Sequence, residues 1–338
     1  MKTLSIIAQV LWLAFLPITF ALAQSSREPL VIAHAAMSPP VLPLWIALDK
    51  GFFVKEGLDA GLVFIRGSPV LLSSMASGEV QAGYTAGTAV LSAVARGLDL
   101  QILASISSRL SHDIVARPDI KDPTDIKGKI FGVQALGGTV WMSAMLGLEY
   151  LGLEPIRDKI KIIAIGDQTV LAQALETRSI DVTVLDKPLS LSMEKKGFRI
   201  LAELAKVNIP FASTGLVMRR SFVAKRPEIA ERSLRAIVRA MGYLFDQGNR
   251  PEVVGIMVKR LGLDRSSAEL GYESALGIID RKPYPTVEGL RNIQRLLSRF
   301  NPDISKVAIE GVVDTRFVER LDKSGFIEEA YKTGGLSP

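Results

Sequence analysis

Residues 70–100, VLLSSMASGEVQAGYTAGTAVLSAVARGLDL, align without a gap on residues 170–200, VLAQALETRSIDVTVLDKPLSLSMEKKGFRI. Val70 matches Val170, Leu71 matches Leu171, Ser92 matches Ser192 and Gly97 matches Gly197, with the conservative pairs Met75/Leu175, Val80/Ile180 and Leu100/Ile200 between them. Each copy reads helix, strand, loop, helix, strand. A chain that carries this unit twice is expected to build two similar α/β lobes with a cleft between them. Ligands of open α/β sheets sit beyond the carboxyl ends of the strands. The equivalent loops Thr85-Ala86-Gly87-Thr88 and Asp186-Lys187-Pro188 are therefore the first candidates for ligand contact.

The surrounding sequence supports an α/β reading. Short β-branched runs (LVIAHA, LVFIRG, VQAGYTAG, LQILASI, KIFGVQ, KIKIIAIG, IDVTVLD and FRILAEL) alternate with helical patterns, which predicts βαβ units and mostly parallel sheets. After about Arg219 helical patterns dominate up to Gly325. At 338 residues and 48% hydrophobic content the chain can bury one large core or two ordinary ones. On one helical stretch Arg232, Arg235 and Arg239 stand opposite the apolar face of Leu234, Ile237, Val238, Met241 and Phe245. That stripe reads as a solvated face.

Compartment and partners are constrained next. Lys2, the apolar run Leu4 to Phe20 and Ala21-Leu22-Ala23 before Gln24 form a secretory signal pattern, with cleavage expected after Ala23. An uncleaved membrane anchor is the competing reading, against which Pro17 interrupts the run. No later segment has the ~20 apolar residues of a spanning helix, so the mature chain is expected to be soluble. Cysteine is absent, which removes disulfides, thiolate metal sites, cysteine nucleophiles and the acylated cysteine of a lipoprotein. The expectation is a periplasmic protein without a lipid anchor. A net charge of +6, scattered among acids, and export both argue against nucleic acid.

The stretch GVQALGGT, Gly132 to Thr139, fits the phosphate-loop pattern except that Gly138 replaces the lysine. Without that charge, and with Gly132 inside a strand-like run, a nucleotide site is not expected. What remains is Gly137-Gly138-Thr139 leading into the helical run VWMSAMLGLEYLGL, where free N–H groups and a hydroxyl would favour a small anion. A plain strand-to-helix turn is the alternative. His34 and His112 stand alone in sequence, without neighbouring ligand residues, so neither a metal site nor a cofactor is expected. His112 reads as a surface or hinge residue. Tyr84, Trp141 and Phe211 lie near expected loops and could offer flat faces to a ligand, with core or cleft wall as the plainer reading. No G-x-S-x-G elbow or G-x-G-x-x-G fingerprint occurs. No catalytic residue is expected.

PLWIALDKGFFVKEGLDAGLVFIRGSP followed by ASGEVQAGYTAGTAVLSAVARGLDLQILAS resembles the substrate-binding proteins of nitrate/sulfonate/taurine-type ABC transporters, a thiamine-pyrimidine-synthase-like superfamily. Gly51-Phe52-Phe53 with Glu56-Gly57-Leu58, DIKGKIFGV, LGLEYLGLEP, ALETRSIDVTVLDKP and RKPYPTVEGL extend the resemblance over nearly all of the mature chain. It implies a type II periplasmic binding protein fold: two lobes, each a mostly parallel sheet flanked by helices, with a helical C-terminal region. The lobes are expected at 24–112 with 213–338, and at 113–212, after the leader 1–23. Joining segments are expected near Ser107 to Arg117 and Asn208 to Gly215. Matching positions imply ligand contact at Ser38, Pro39, Ser68, Thr85, Gly87, Thr88, Gly138, Thr139 and Asp186. Arg66 and Arg109 flank strand ends and could reach in. Two departures stand out: Gln81 follows Gly78-Glu79-Val80 where relatives often have aspartate, and Gly-Gly-Thr replaces the commoner Gly-Ser-Ser. The second leaves the ligand's identity open. The implied function is capture of a small, anionic solute by a monomer that delivers it to an inner-membrane permease, without turnover. A ligand-sensing partner of a membrane receptor is the alternative. A thiamine-pyrimidine-synthase-like enzyme is a further one, weakened by the absence of the cysteine-rich segment those enzymes need.

Overall fold

A computed structural model describes residues 27–336; the expected leader lies outside the described residues. The chain opens with strand β1 (Glu28–His34), helices α1 (Leu42–Asp49) and α2 (Phe52–Lys55), strand β2 (Leu58–Phe64), α3 (Ser68–Ser77), β3 (Ala82–Thr85), α4 (Gly87–Ala95) and β4 (Leu100–Arg109). It continues through β5 (His112–Ala116), β6 (Ile130–Val133), α5 (Thr139–Tyr150), β7 (Lys161–Ala164), α6 (Gln168–Glu176), β8 (Val182–Asp186), α7 (Lys187–Lys195), β9 (Arg199–Glu203) and β10 (Pro210–Arg219). Helices follow: α8 (Arg220–Lys225), α9 (Pro227–Phe245), α10 (Arg250–Leu261), α11 (Arg265–Ile278), α12 (Val287–Leu297), α13 (Arg316–Lys323) and α14 (Phe326–Lys332).

Two five-stranded sheets result, ordered β2-β1-β3-β10-β4 and β7-β6-β8-β5-β9. The repeat is visible in both: α3, β3 and α4 occupy in the first sheet the places that α6, β8 and α7 occupy in the second. The sheets are mixed. In the first, β1 pairs in parallel with β2 and β3, while β10 lies antiparallel between β3 and β4. In the second, β5 takes that antiparallel place between β8 and β9. Both inserted strands come from segments read from sequence only as connections. Pro210-Phe211-Ala212-Ser213-Thr214-Gly215 is poor in β-formers and carries register shifts against β4, so periodicity could not announce it.

Close packing within each lobe depends on one central glycine. A Cβ at Gly83 of β3 would lie 2.5 Å from Met75 Sδ and 2.9 Å from Leu71 of α3. At Gly132 of β6 it would lie 2.6 Å from Ile180 and 3.1 Å from Leu171 of α6. Gly132, the first glycine of the loop-like GVQALGGT, is thus a mid-strand packing residue rather than the start of a phosphate loop.

The first sheet is also buried on its other face, where Trp45, Phe53, Leu103 and Leu216 pack against Leu234, Ile237 and Met241 of α9. Here the basic stripe departs from expectation. Arg239 is 3% exposed and its Nε lies 2.6 Å from Glu56 Oε1; Arg235 Nε is 2.8 Å from Glu56 Oε2. Both guanidiniums also sit over the ring of Phe326. Gly51, at φ +69°, ends the first helical turn pair and turns Phe52 and Phe53 inward, and Glu56 then meets the arginines. Arg239 is buried and Arg235 and Arg232 are half-buried, in a seam that ties the N-terminal α/β unit to the C-terminal helices, because Phe326 of α14 lies over Arg235 and Arg239 and Arg232 reaches the Glu56 and Gly57 carbonyls.

Candidate functional site

A cavity of about 700 Å³ lies between the two sheets, at the carboxyl ends of β1, β3, β6 and β8. The first lobe contributes Ser38 and Pro39 after β1, Arg66 and Ser68 after β2, and Tyr84, Thr85 and Ala86 at the end of β3. Facing them are Gln134 after β6, Thr139 at the start of α5, Asp167 and Gln168 at α6, and Asp186 and Lys187 at the end of β8. Ser111, His112, Ser213 and Thr214 line it where β5 and β10 cross between the sheets.

Each wall has its own local order. Thr85 Oγ1 donates to Ser68 Oγ at 2.9 Å, so the two hydroxyls form one polar spot on the first lobe. Tyr84 is 1% exposed and its hydroxyl donates to the Pro40 carbonyl at 3.2 Å, which makes the ring a fixed wall. On the second lobe the Asp186 carboxylate accepts from the Leu189 N–H, and the Asp186 N–H donates to Gln168 Oε1 at 2.6 Å. Burial pushes the Asp186 carboxyl above the usual aspartate range. Lys187 Nζ lies 2.6 Å from Glu203 and 3.1 Å from Asp113. Burial lowers its affinity for the proton, but the hydrogen bonds to Glu203 and Asp113 outweigh that and hold it above the ordinary lysine value.

His112 is 8% exposed, stands opposite Asp186 in the β5–β8 register, and has Nδ1 2.9 Å from Ser143 Oγ. Burial pushes its ring down to about 4, so it is neutral at pH 7. This residue, read from sequence as a surface or hinge position, does stand where the chain crosses between the sheets, but it is buried in the cavity wall rather than on the surface. The signal was its place just after the polar break Ser107-Ser108-Arg109, where the chain changes sheets.

Five helices point their N-termini at this space, and they end differently. Gly67, Ala86 and Gly138 precede α3, α4 and α5 with no side-chain cap. Asp167 caps α6, accepting from the Thr169 and Val170 N–H groups at 3.0 and 3.1 Å, and Asp186 caps α7. Uncapped N-termini leave donors and partial positive charge for another partner.

Of the residues singled out from sequence, Ser38, Pro39, Ser68, Tyr84, Thr85, Thr139 and Asp186 line the cavity. Ala86, Lys187, Pro188 and Arg66 line it as well, and the rest lie elsewhere. A Cβ on Gly87 would come 2.6 Å from Ala212, so that glycine packs α4 against β10. Thr88 is buried one position further along α4. Gly138 donates its N–H to the Ala135 carbonyl at 3.3 Å and stands just behind Thr139, so it is not the bare donor expected of GVQALGGT. Trp141 is 3% exposed and stacks edgewise on Phe300, and Phe211 is fully buried; both point into the core because their helix or strand turns that face inward. Arg66 lines the cavity, whereas Arg109 pairs with Asp280 at 3.0 Å. Sequence reasoning missed His112, Gln134, Asp167 and Gln168. An aspartate between a strand and an apolar helical run, as in Gly166-Asp167-Gln168, is a cap signal that could have found two of them.

With this geometry in hand, comparisons with known proteins give a consistent result. The profile described as NMT1/THI5 like matches residues 38–250. A Brucella abortus (strain 2308) protein named as a candidate binding protein, BAB2_1146, is 27% identical over 274 residues, covering 80% of this chain and 82% of the relative. The periplasmic aliphatic sulphonate binding protein SsuA of Escherichia coli superposes with a TM-score of 0.70 at 17% identity, over 85% of this chain and 92% of its own. The periplasmic nitrate-binding protein NrtA of Synechocystis PCC 6803 superposes at 0.66 and 16% identity, over 92% and 91%. In sequence and in architecture alike, the chain belongs to the NMT1/THI5-like family and has the two-lobed fold of periplasmic binding proteins.

Proposed function

We propose that this protein is the periplasmic solute-binding component of an ABC importer, holding a small organic or inorganic anion in the interlobe cavity and handing it to an inner-membrane permease. The observation that carries the reading is the first-lobe wall, where uncapped α3 and α4, the Ser68–Thr85 hydroxyl pair and Arg66 meet in one cavity. Ligand contacts are assigned to Ser38, Pro39, Ser68, Thr85, Thr139 and Asp186, with Tyr84 as wall. Residues 24–112 and 213–338 form one lobe and 113–212 the other, moving about the two crossings near Ser111 and near Asn208. The solute binds both walls better when they close, and that difference drives closure. Among the described residues no helix is long and apolar enough to cross a membrane; the reading takes the leader to be cleaved after Ala23 and the mature protein to be a monomer in the periplasm. No turnover is expected.

The test is a thermal-shift screen of the mature protein against nitrate, sulfonates, carboxylates and aromatic acids, followed by small-angle scattering. A true solute at ~100 times its Kd adds about 2.7 kcal/mol of stability and contracts the particle. A panel that yields neither stabilisation nor contraction, or a bound solute that is chemically converted, overturns the reading. Intact mass of the periplasmic fraction checks the cleavage.

A further inference from the structure

The two lobes also touch outside the cavity, through a C-terminal helix. Helix α12 is seated on the first sheet: a Cβ on Gly289 would lie 2.7 Å from the Ala212 nitrogen of β10, and one on Gly87 of α4 would lie 3.1 Å from Leu290. Helix α5 is seated on the second, where a Cβ on Gly147 would lie 2.8 Å from Ile114 of β5. The end of α12 nevertheless runs onto α5. The Phe300 ring meets the Trp141 ring edgewise, with centroids 5.0 Å apart and planes at 70°. Arg295 pairs with Glu149 at 2.8 Å, and a Cβ on Gly137 would lie 3.4 Å from Leu297. Trp141, Met145, Leu296 and Leu297 belong to one buried apolar cluster that spans both sheets.

Both helices are anchored close to the chain crossings. Asn292 Nδ2 of α12 donates to the Pro210 carbonyl at 3.0 Å, and Ser143 Oγ of α5 lies 2.9 Å from His112 Nδ1. Helix α5 also starts at Thr139 in the cavity wall, so the helix that carries Trp141 moves with that wall. A rotation about the crossings shifts α5 against the end of α12 and disturbs the contacts between them. The cavity of about 700 Å³ is far larger than a small anion, so closing on one means turning away from the angle at which these contacts are made. We propose that Phe300 and Trp141, with Arg295 and Glu149, form an interlobe brace. They are positioning residues that hold the lobes apart and set, from outside the cavity, how readily the lobes close. The brace rests on the hinged closure of the solute-binding reading and adds to it residues that touch no solute. An edge-to-face aromatic pair is worth roughly two- to tenfold in an equilibrium, and an ion pair as exposed as Arg295–Glu149 adds less. The apparent affinity for a solute that needs closed lobes shifts by the same factor.

The chain has no cysteine, so one cysteine placed on each lobe can be labelled cleanly. Val70 and Val170, both exposed, stand at equivalent places on α3 and α6, on either side of the cavity. Spin labels on Val70→Cys and Val170→Cys report the distance between lobes by electron paramagnetic resonance in the mature, solute-free protein. Phe300→Ala should move that distribution to shorter distances and broaden it, Arg295→Ala should do so less, and Phe300→Tyr, which keeps the ring, should match the parent. Phe300 is exposed over half its surface, so its loss should leave both sheets folded; if Phe300→Ala does not fold, Phe300→Leu carries the same comparison. Calorimetry on unlabelled protein with nitrate, ethanesulfonate and butyrate should give Phe300→Ala a Kd roughly two- to tenfold below the parent's for each probe that binds. A distance distribution that superposes on the parent's or lengthens overturns the brace, as does an affinity that is unchanged or weaker. If none of the three probes binds, the distances alone decide the brace, and the solute-binding reading stands or falls on the wider screen.

Discussion

Residues 68–95 and 168–195 share one backbone plan and end against the same cavity, yet they treat their helix N-termini in opposite ways. In the first copy Gly67 and Ala86 leave α3 and α4 uncapped. In the second, Asp167 and Asp186 stand at the same places and neutralise α6 and α7 from within. One fold element thus offers donors on one wall and carboxylates on the other. Side chains at the cap positions, with Arg66 and the Ser68–Thr85 pair on the first wall, turn a near-symmetric scaffold into a polar cleft. The lobes differ behind the cleft too, since the first is sealed by the C-terminal helices through Glu56, Arg235 and Arg239.

That seam is where the asymmetry can be broken most severely. Glu56→Ala would take from Arg239, 3% exposed in the core of the first lobe, the carboxylate it shares with Arg235. Removing one partner of a buried pair costs about 3–5 kcal/mol. Urea unfolding should show that loss in the first lobe, while proteolysis should find the second lobe's sheet still protected. A variant within about 0.5 kcal/mol of the parent would mean that the seam is solvated after all.

The second lobe should carry the steeper pH response. Its antiparallel strand places His112 beside Asp186, whereas β10 brings Thr214 and Gly215, neither titratable, to the corresponding place in the first lobe. Unfolding restores His112 from about 4 to its ordinary 6.5, so between those values the unfolded chain binds a proton that the native one refuses. Stability therefore rises as pH climbs from about 4 to 6.5 and is flat above; the full span is worth ~3 kcal/mol. The raised Asp186 carboxyl works the other way, favouring the fold below 3.8 and withdrawing that help as pH rises. His112→Gln isolates the histidine: its stability at about pH 4.5 should approach its stability at about pH 7 more closely than the parent's does. Equal pH slopes in parent and variant would show that the ring is solvated.

How much of this could be read without coordinates differs between the lobes' frames and their insertions. The gap-free match of 70–100 on 170–200 located α3, β3, α4 and their partners, because helix and strand periodicities survive in both copies. Thr85 and Asp186 followed from it as cleft positions, since loops beyond parallel strands face the ligand side, whereas Ser68 lies outside the repeat and was implied only by the family resemblance. Strands β5 and β10 were illegible: they are held by neighbours on both sides rather than by their own composition. Trp141 and Phe211 show the converse error. Nearness to a loop in sequence says nothing about which face a side chain takes, and both face the core. The Arg232/Arg235/Arg239 stripe misled for the same reason, as only tertiary packing reveals that Phe326 of α14 lies over Arg235 and Arg239.

Exchanging caps between the copies sharpens the comparison directly. Ala86 has extended backbone, φ −80° and ψ 144°, close to that of Asp186 at −69° and 162°. Ala86→Asp should therefore cap α4 and stabilise the ligand-free protein by about 1 kcal/mol, while an anionic solute loses roughly tenfold or more in affinity. The reciprocal change, Asp186→Ala, should cost about 1 kcal/mol as α7 loses its cap. Thermal melts and calorimetry read both. If Ala86→Asp leaves anion binding intact, the first lobe's bare N-terminus is not a ligand seat.

The smallest expected effect concerns α5, the one helix of the second lobe that begins without a cap. Gly138 has φ −81° and ψ 174°, the extended geometry of a capping residue, and a Cβ there meets no atom closer than the Ala135 carbonyl at 3.4 Å. Aspartate fits without strain, and replacing a glycine cap gains only a few tenths of a kcal/mol. Gly138→Asp should therefore melt at or slightly above the parent. Its consequence for binding separates two roles for GVQALGGT. Since the Gly138 N–H is already given to Ala135 and only Thr139 lines the cavity, the new carboxylate lies one residue behind the wall. It should cap the first turn of α5 and weaken an anion only modestly, about threefold or less, far short of the loss at Ala86→Asp. A loss as large as that of Ala86→Asp would mean that the anionic head lies on the second lobe, and the polarity of the cleft would have to be reversed.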